Sequence, residues 1–199
     1  LQLQFRLDSD VTGVDYYNGY FYTSGTELCA FPADASKAVD GIMHVETIGQ
    51  FQKHVYQSYG FSKSIFIDGY VYRAYAVGSE RGFTVMCIDR DSPEYGMRSY
   101  VQLKSISSKY YDDAWLSVYK GYIYLGTYST GLFGDMLSPE DSSLVYIKAD
   151  GLSFGSEYSY VFKGCRQFVS EFIVSNGYGF VDCSGGLYVF RMNDDGTLG

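Results

Sequence analysis

The chain of 199 residues has little of what most chemistry needs. It holds 2 His, 1 Trp, 4 Cys and 3 Pro. A Ser-His-Asp or Cys-His site needs an imidazole base, and only His44 and His54 exist. They stand ten apart, with no His-Glu-x-x-His, Walker loop or dinucleotide fingerprint. The cysteines, Cys29, Cys87, Cys165 and Cys183, form no Cys-x-x-Cys pair, which argues against a zinc site. No run of eighteen apolar residues is present, which excludes a membrane-spanning helix. Lys and Arg number 15 against 23 Asp and Glu, a net charge of −8. Their scatter leaves no basic patch for nucleic acid or an anionic membrane. No sustained helical stripe occurs either, and the chain reads as all-β.

What is abundant is Tyr, Phe and Gly, at 22, 14 and 23 residues. These favour pleated surfaces and turns. They fall in a repeat. Asn18-Gly19, Asp68-Gly69, Lys120-Gly121 and Asn176-Gly177 are each followed by an aromatic ladder. The ladders are Tyr20-Phe21-Tyr22, Tyr70-Val71-Tyr72, Tyr122-Ile123-Tyr124 and Tyr178-Gly179-Phe180. Asn-Gly and Asp-Gly suit a two-residue type I′ hairpin, whose central residues both need positive φ; Lys120 fits that turn less well. After each ladder comes Leu28-Phe31-Asp34, Val85-Ile88-Asp91, Leu144-Ile147-Asp150 or Leu187-Phe190-Asn193. Upstream of each hairpin lies a further strand-like run, Leu3–Leu7, His44–Ile48, Ser99–Leu103 and Tyr158–Phe162. Each repeat is thereby expected to hold four strands, A to D, with A the upstream run.

Repeats of this size and strand number resemble those of the β-propeller superfamily, in particular bacterial secreted or surface propellers with Asn-Gly-Tyr-x-Tyr…Leu-x-x-Phe-x-x-Asp blades. The resemblance covers nearly the whole chain. It implies four four-stranded antiparallel blades, approximately 1–38, 39–95, 96–152 and 153–199, closed as a four-bladed ring or part of a larger one. The ladder tyrosines are then expected to pack between blades, with hydroxyls at the sheet rim. By analogy the resemblance implies a recognition surface rather than a reaction.

The repeats differ in the gap between hairpin and D strand, which is enlarged in the second and third. The expected loops are Ala76–Gly82 and Thr127–Ser143. Up-down strand order puts these C–D loops at the same end as the A–B turns, including Ser107–Trp115. Tyr110, Tyr111, Asp112, Asp113 and Trp115 are therefore expected to gather with Phe133 and Asp135. Aromatic faces stack on sugar C–H groups and carboxylates accept hydroxyl protons, so a glycan fits, as does a peptide or protein. Trp115 has a second reading, as a core residue opening strand B. The functional expectation is a non-enzymatic binding or scaffolding module of a secreted or cell-surface protein, without cofactor. The alternative is a carbohydrate-active enzyme using Asp112, Asp113 or Asp135, although adjacent Asp112 and Asp113 point to opposite faces of a strand.

Other clusters yield less. Asp182-Cys183-Ser184-Gly185-Gly186 resembles a serine-protease segment, but Cys precedes the Ser and the run sits at a turn. Asn193-Asp194-Asp195-Gly196 lacks the spaced ligands of a calcium loop. The four cysteines are read as buried free thiols, with Cys165–Cys183 the bridge to expect if one forms. The abrupt start at Leu1 and the run after Asp194 read as a mature or trimmed piece of a longer, exported protein.

Overall fold

The computed structural model describes residues 6–8, 13–23, 25–53, 64–77, 80–105, 113–128, 143–165, 172–183 and 186–199, with the backbone alone at 76, 77, 113–115, 127 and 128. Seventeen strands lie among them. In chain order they are β1 (Arg6–Leu7), β2 (Val14–Tyr17), β3 (Tyr20–Thr23), β4 (Glu27–Pro32), β5 (Ile42–Met43), β6 (Glu46–Gln50), β7 (Ile65–Ile67), β8 (Tyr70–Val77), β9 (Glu80–Cys87), β10 (Arg98–Gln102), β11 (Asp113–Tyr119), β12 (Tyr122–Tyr128), β13 (Ser143–Asp150), β14 (Ser153–Val161), β15 (Ile173–Ser175), β16 (Tyr178–Cys183) and β17 (Gly186–Arg191). One 3₁₀ turn, Ala35–Lys37, follows β4. The fold is all-β, as composition requires.

Three antiparallel sheets have four strands each, β2-β3-β4-β6, β7-β8-β9-β10 and β11-β12-β13-β14. A fourth has three, β15-β16-β17, and β1 pairs in parallel with β5 apart from these. Each of the four sheets is built around one repeat hairpin. Its two turn residues have positive φ every time, 45° and 82° at Asn18-Gly19 and 47° and 83° at Asp68-Gly69. At Lys120-Gly121 the angles are 47° and 75°, and at Asn176-Gly177 they are 51° and 77°. These are type I′ values, and Lys120 adopts them in spite of its Cβ. Two contacts hold it there: its Nζ donates to the Asp194 carbonyl at 2.5 Å, and Lys148 Nζ donates to the Lys120 carbonyl at 2.7 Å.

The repeat is shifted by one strand from the expected phase. The runs read as A strands begin no new sheet. β6, β10 and β14 instead complete the preceding sheet, against β4, β9 and β13. Divisions at 38/39, 95/96 and 152/153 therefore fall inside the three four-stranded sheets. In the third sheet a short connection decides this. Asp150 pairs with Ser153 across a two-residue turn, and so short a link can only return the chain beside β13. Among the described residues three of the four expected sheets have four strands and the last has three.

A second correction concerns the second repeat. Tyr70 to Val77 pairs continuously with Cys87 to Glu80. The extra residues lengthen the hairpin, and Ala76–Gly82 is not an enlarged loop. The register also realigns its motif. Phe31, Met86, Ile147 and Phe190 pair with the middle ladder residues Phe21, Val71, Ile123 and Gly179. The repeat in this copy is therefore Phe83-Met86-Asp89, two residues before Val85-Ile88-Asp91. Two residues after each of these, a backbone N–H donates to the carbonyl of the turn glycine: Ala33 to Gly19, Ile88 to Gly69, Ala149 to Gly121 and Met192 to Gly177.

Alternation gives each sheet a tyrosine face and a reverse face. Three apolar clusters then join the sheets in series. Tyr22, Leu28 and Ala30 meet Val71, Met86 and Ile88 of the second sheet. Tyr72, Phe83 and Val85 meet Leu116, Ile123 and Val145 of the third. Tyr124, Leu144 and Tyr146 meet Phe172, Val181 and Met192 of the fourth. In each case a tyrosine face packs on the next reverse face. Among the described residues no such cluster joins the fourth sheet to the first. Phe21 turns the other way from its neighbours, toward Tyr16 and Phe31.

Cys165 and Cys183 are joined by a disulfide, with Cα atoms 5.5 Å apart. This overturns the free-thiol reading for these two; Cys29 and Cys87 are free. The bridge fastens the chain beyond β14 to β16 in the cluster between the last two sheets. Among the described residues no helix is long and apolar enough to cross a membrane.

Candidate functional site

Antiparallel order gives each sheet two ends. At the turn end lie the four type I′ hairpins. At the opposite, loop end lie the connections between second and third strands, residues 24–26, 78–79, 129–142 and 184–185. The chain also passes from sheet to sheet at this end.

Of the expected site residues, Tyr110, Tyr111, Asp112, Phe133 and Asp135 lie outside the described residues, as does His54. Asp113 and Trp115 lie in β11, described by backbone only. Asp113 pairs with Tyr128 and Thr127 pairs with Ser143. The strand ends that deliver segments 106–112 and 129–142 therefore stand side by side at the loop end of the third sheet.

Elsewhere at the loop end the structure reveals a buried cation that sequence reading missed. Arg73 of β8 is fully buried between the first two sheets. Its Nε donates to Ser64 Oγ at 3.0 Å, its Nη1 to the Gly25 carbonyl at 2.5 Å, and its Nη2 to the Thr23 carbonyl. Its guanidinium carbon lies 4.8 Å from the centre of the Phe51 ring. Burial lowers its pKa to about 10, which still leaves it charged at neutral pH. One sequence cue was available, an Arg where the other hairpins carry Thr23, Leu125 and Val181. Nearby, Lys53 pairs with Glu80 at 2.8 Å and sits over the Tyr100 ring at 4.7 Å.

At the turn end, two equivalent clefts open between consecutive sheets. One, of about 340 Å³, is lined by Tyr17, Asn18, Tyr20 and Tyr22 facing Asp68, Asp89, Arg90 and Asp91. The other, of about 380 Å³, is lined by Tyr70, Tyr72 and Glu94 facing Asp150, Gly151 and Ser153. Their polar groups are largely committed to holding the sheets together. Tyr72 donates to the Gly151 carbonyl at 2.9 Å, and Tyr124 donates likewise to Gly196 at the next junction. Tyr70 donates to Glu94 at 2.5 Å, and this bond raises its pKa to about 12. Arg90 spans the first junction, pairing with Glu46 at 2.6 Å and lying 4.5 Å from the Tyr20 ring centre. Tyr95 donates to the same Glu46 at 2.9 Å. Arg90's hydrogen bond is the main reason that the Glu46 carboxyl lies below its ordinary pKa. The tyrosine excess thus serves the junctions between repeats.

His44 is exposed, with Nδ1 2.6 Å from Asp8 Oδ2. Asp8 lies below its ordinary pKa chiefly through the Val45 N–H and then through His44. Among the described residues no three His, Cys, Asp or Glu side chains are placed to hold a metal ion. Asp195, in the run weighed as a calcium loop, accepts from the N–H and hydroxyl of Thr197, at 2.9 and 2.7 Å. No protein-family model and no curated protein matches this sequence.

Proposed function

We propose that the chain is a β-propeller segment that works as a non-enzymatic recognition module of a secreted or cell-surface bacterial protein. Its ligand is a glycan or a protein segment, held at the loop end around the second and third repeats. Tyr110, Tyr111, Asp112, Asp113, Trp115, Phe133 and Asp135 supply the rings and carboxylates.

The observation that carries this reading is the contrast between the two ends. The turn end is the same two-residue hairpin four times. The loop end ranges from the two-residue link 78–79 to the segment 129–142. A scaffold needs the first, and length variation on a fixed scaffold is where binding groups accumulate. The Cys165–Cys183 bridge fits an oxidising compartment.

The test is binding to an array of immobilised neutral oligosaccharides and to a library of basic peptides, which suit a chain of charge −8. Trp115→Ala is expected to weaken binding by about 2 kcal/mol, roughly thirtyfold, with an unchanged melting temperature. A melt lowered by the equivalent of about 3–5 kcal/mol would instead make Trp115 a core residue and remove it from the site.

A further inference from the structure

Apolar side chains are exposed at both ends of the series of sheets among the described residues. On the tyrosine face of the fourth sheet, Ile173, Leu187 and Val189 are 58%, 62% and 53% exposed. By register their counterparts in the second sheet are Ile65, Phe83 and Val85, which are 5%, 0% and 0% exposed beneath the third sheet. On the reverse face of the first sheet Thr23 and Phe31 are buried, and the opening lies along β2. Val14 and Tyr16 are 43% and 61% exposed, whereas Leu116, the counterpart of Val14 in the third sheet, is 1% exposed. Contiguous apolar faces of this kind mark interaction surfaces.

We propose that a second copy of this chain covers the fourth sheet, seating the reverse face of its first sheet there, head to tail. The contact would repeat the three junctions already present within the chain, each a tyrosine face on a reverse face. Charge favours the same pairing. Arg191 is exposed on the fourth sheet's tyrosine face, opposite Tyr178. Asp34 of the first sheet holds the position that Asp89 and Asp150 hold in theirs, and those two line the clefts against the preceding ladder tyrosines. Seated in the same way, Asp34 of one copy meets Tyr178 and Arg191 of the other. The interface is heterologous, so each copy keeps one donor and one acceptor face and the association propagates until it closes.

Sedimentation of the 199-residue chain from low to high micromolar concentration tests this. The mass should rise with concentration in steps of one chain. Val14→Glu and Val189→Glu should each weaken self-association by roughly tenfold or more, since a charge is placed in the contact. Circular dichroism and melting should be unchanged, because both side chains are exposed. Mixed together, the two variants should form one-to-one dimers that grow no further, each contributing its intact face. Arg191→Glu should weaken association, and adding Asp34→Arg should restore it. A wild-type chain that stays monomeric throughout overturns the proposal. So do single variants that associate like wild type, or a mixture that forms no dimer.

Discussion

At the scale of single residues, the junctions between sheets concentrate the energetics. Arg73 is buried with three hydrogen bonds, two of them to backbone carbonyls. Arg73→Met keeps the bulk but strands those carbonyls away from water. It should destabilise the chain by about 3 kcal/mol, read as a lower urea midpoint at unchanged slope. The ladder tyrosines divide by position. Tyr124→Phe leaves the Gly196 carbonyl without its donor and should cost about 1–2 kcal/mol. Tyr178→Phe alters an exposed ring and should fall within about 0.5 kcal/mol of wild type. Gly179 breaks the fourth ladder for a visible reason: a Cβ there would stand 2.5 Å from the Phe172 ring.

At the scale of elements, the hairpins are local and the outer strands are not. The type I′ turns follow from two residues each, and sequence reading found all four. Apart from the two-residue turn before β14, nothing local announces whether a strand closes one sheet or opens the next, and His44–Ile48, Ser99–Leu103 and Tyr158–Phe162 complete the preceding sheets. The disulfide belongs to this scale also, since it holds the connection after β14 onto β16. Cys165→Ser with Cys183→Ser should lower stability by about 3 kcal/mol, the loss of a cross-link closing a loop of 18 residues. Thiol titration of the denatured chain should count two groups before reduction, Cys29 and Cys87, and four after.

At the scale of the whole molecule, the first two sheets are tied by charge as well as by apolar contact. Glu46 lies on β6 of the first sheet, while Arg90 and Tyr95 lie between β9 and β10 of the second. The folded carboxyl of Glu46 is depressed below its ordinary 4.5, so its ionised form is favoured by folding. Its contribution is fully present above that value and is lost as pH falls through the lower, folded one. Partial exposure of the pair keeps the contribution modest. Glu46→Gln should therefore fall less steeply in melting temperature than wild type between about pH 5 and pH 3, and the two curves should run parallel above that window.

The sequence by itself determined the strand class, the fourfold hairpin and the role of the alternating tyrosines, because each depends on residues within a few positions of one another. A two-residue turn needs only its own φ angles, and a pleat fixes which neighbours share a face. The tertiary structure decided the phase of the sheets, the second hairpin's length, the Cys165–Cys183 pairing and the burial of Arg73. Each of these depends on what lies across a junction, and pairing partners distant in the chain leave no local mark. The expected site at Tyr110–Trp115, Phe133 and Asp135 was chosen because those segments break the repeat. Register brings the strand ends that carry them together at Asp113, Tyr128 and Ser143. Junction contacts need that register too, which is why the burial of Arg73 becomes visible only once the first sheet is packed over β8.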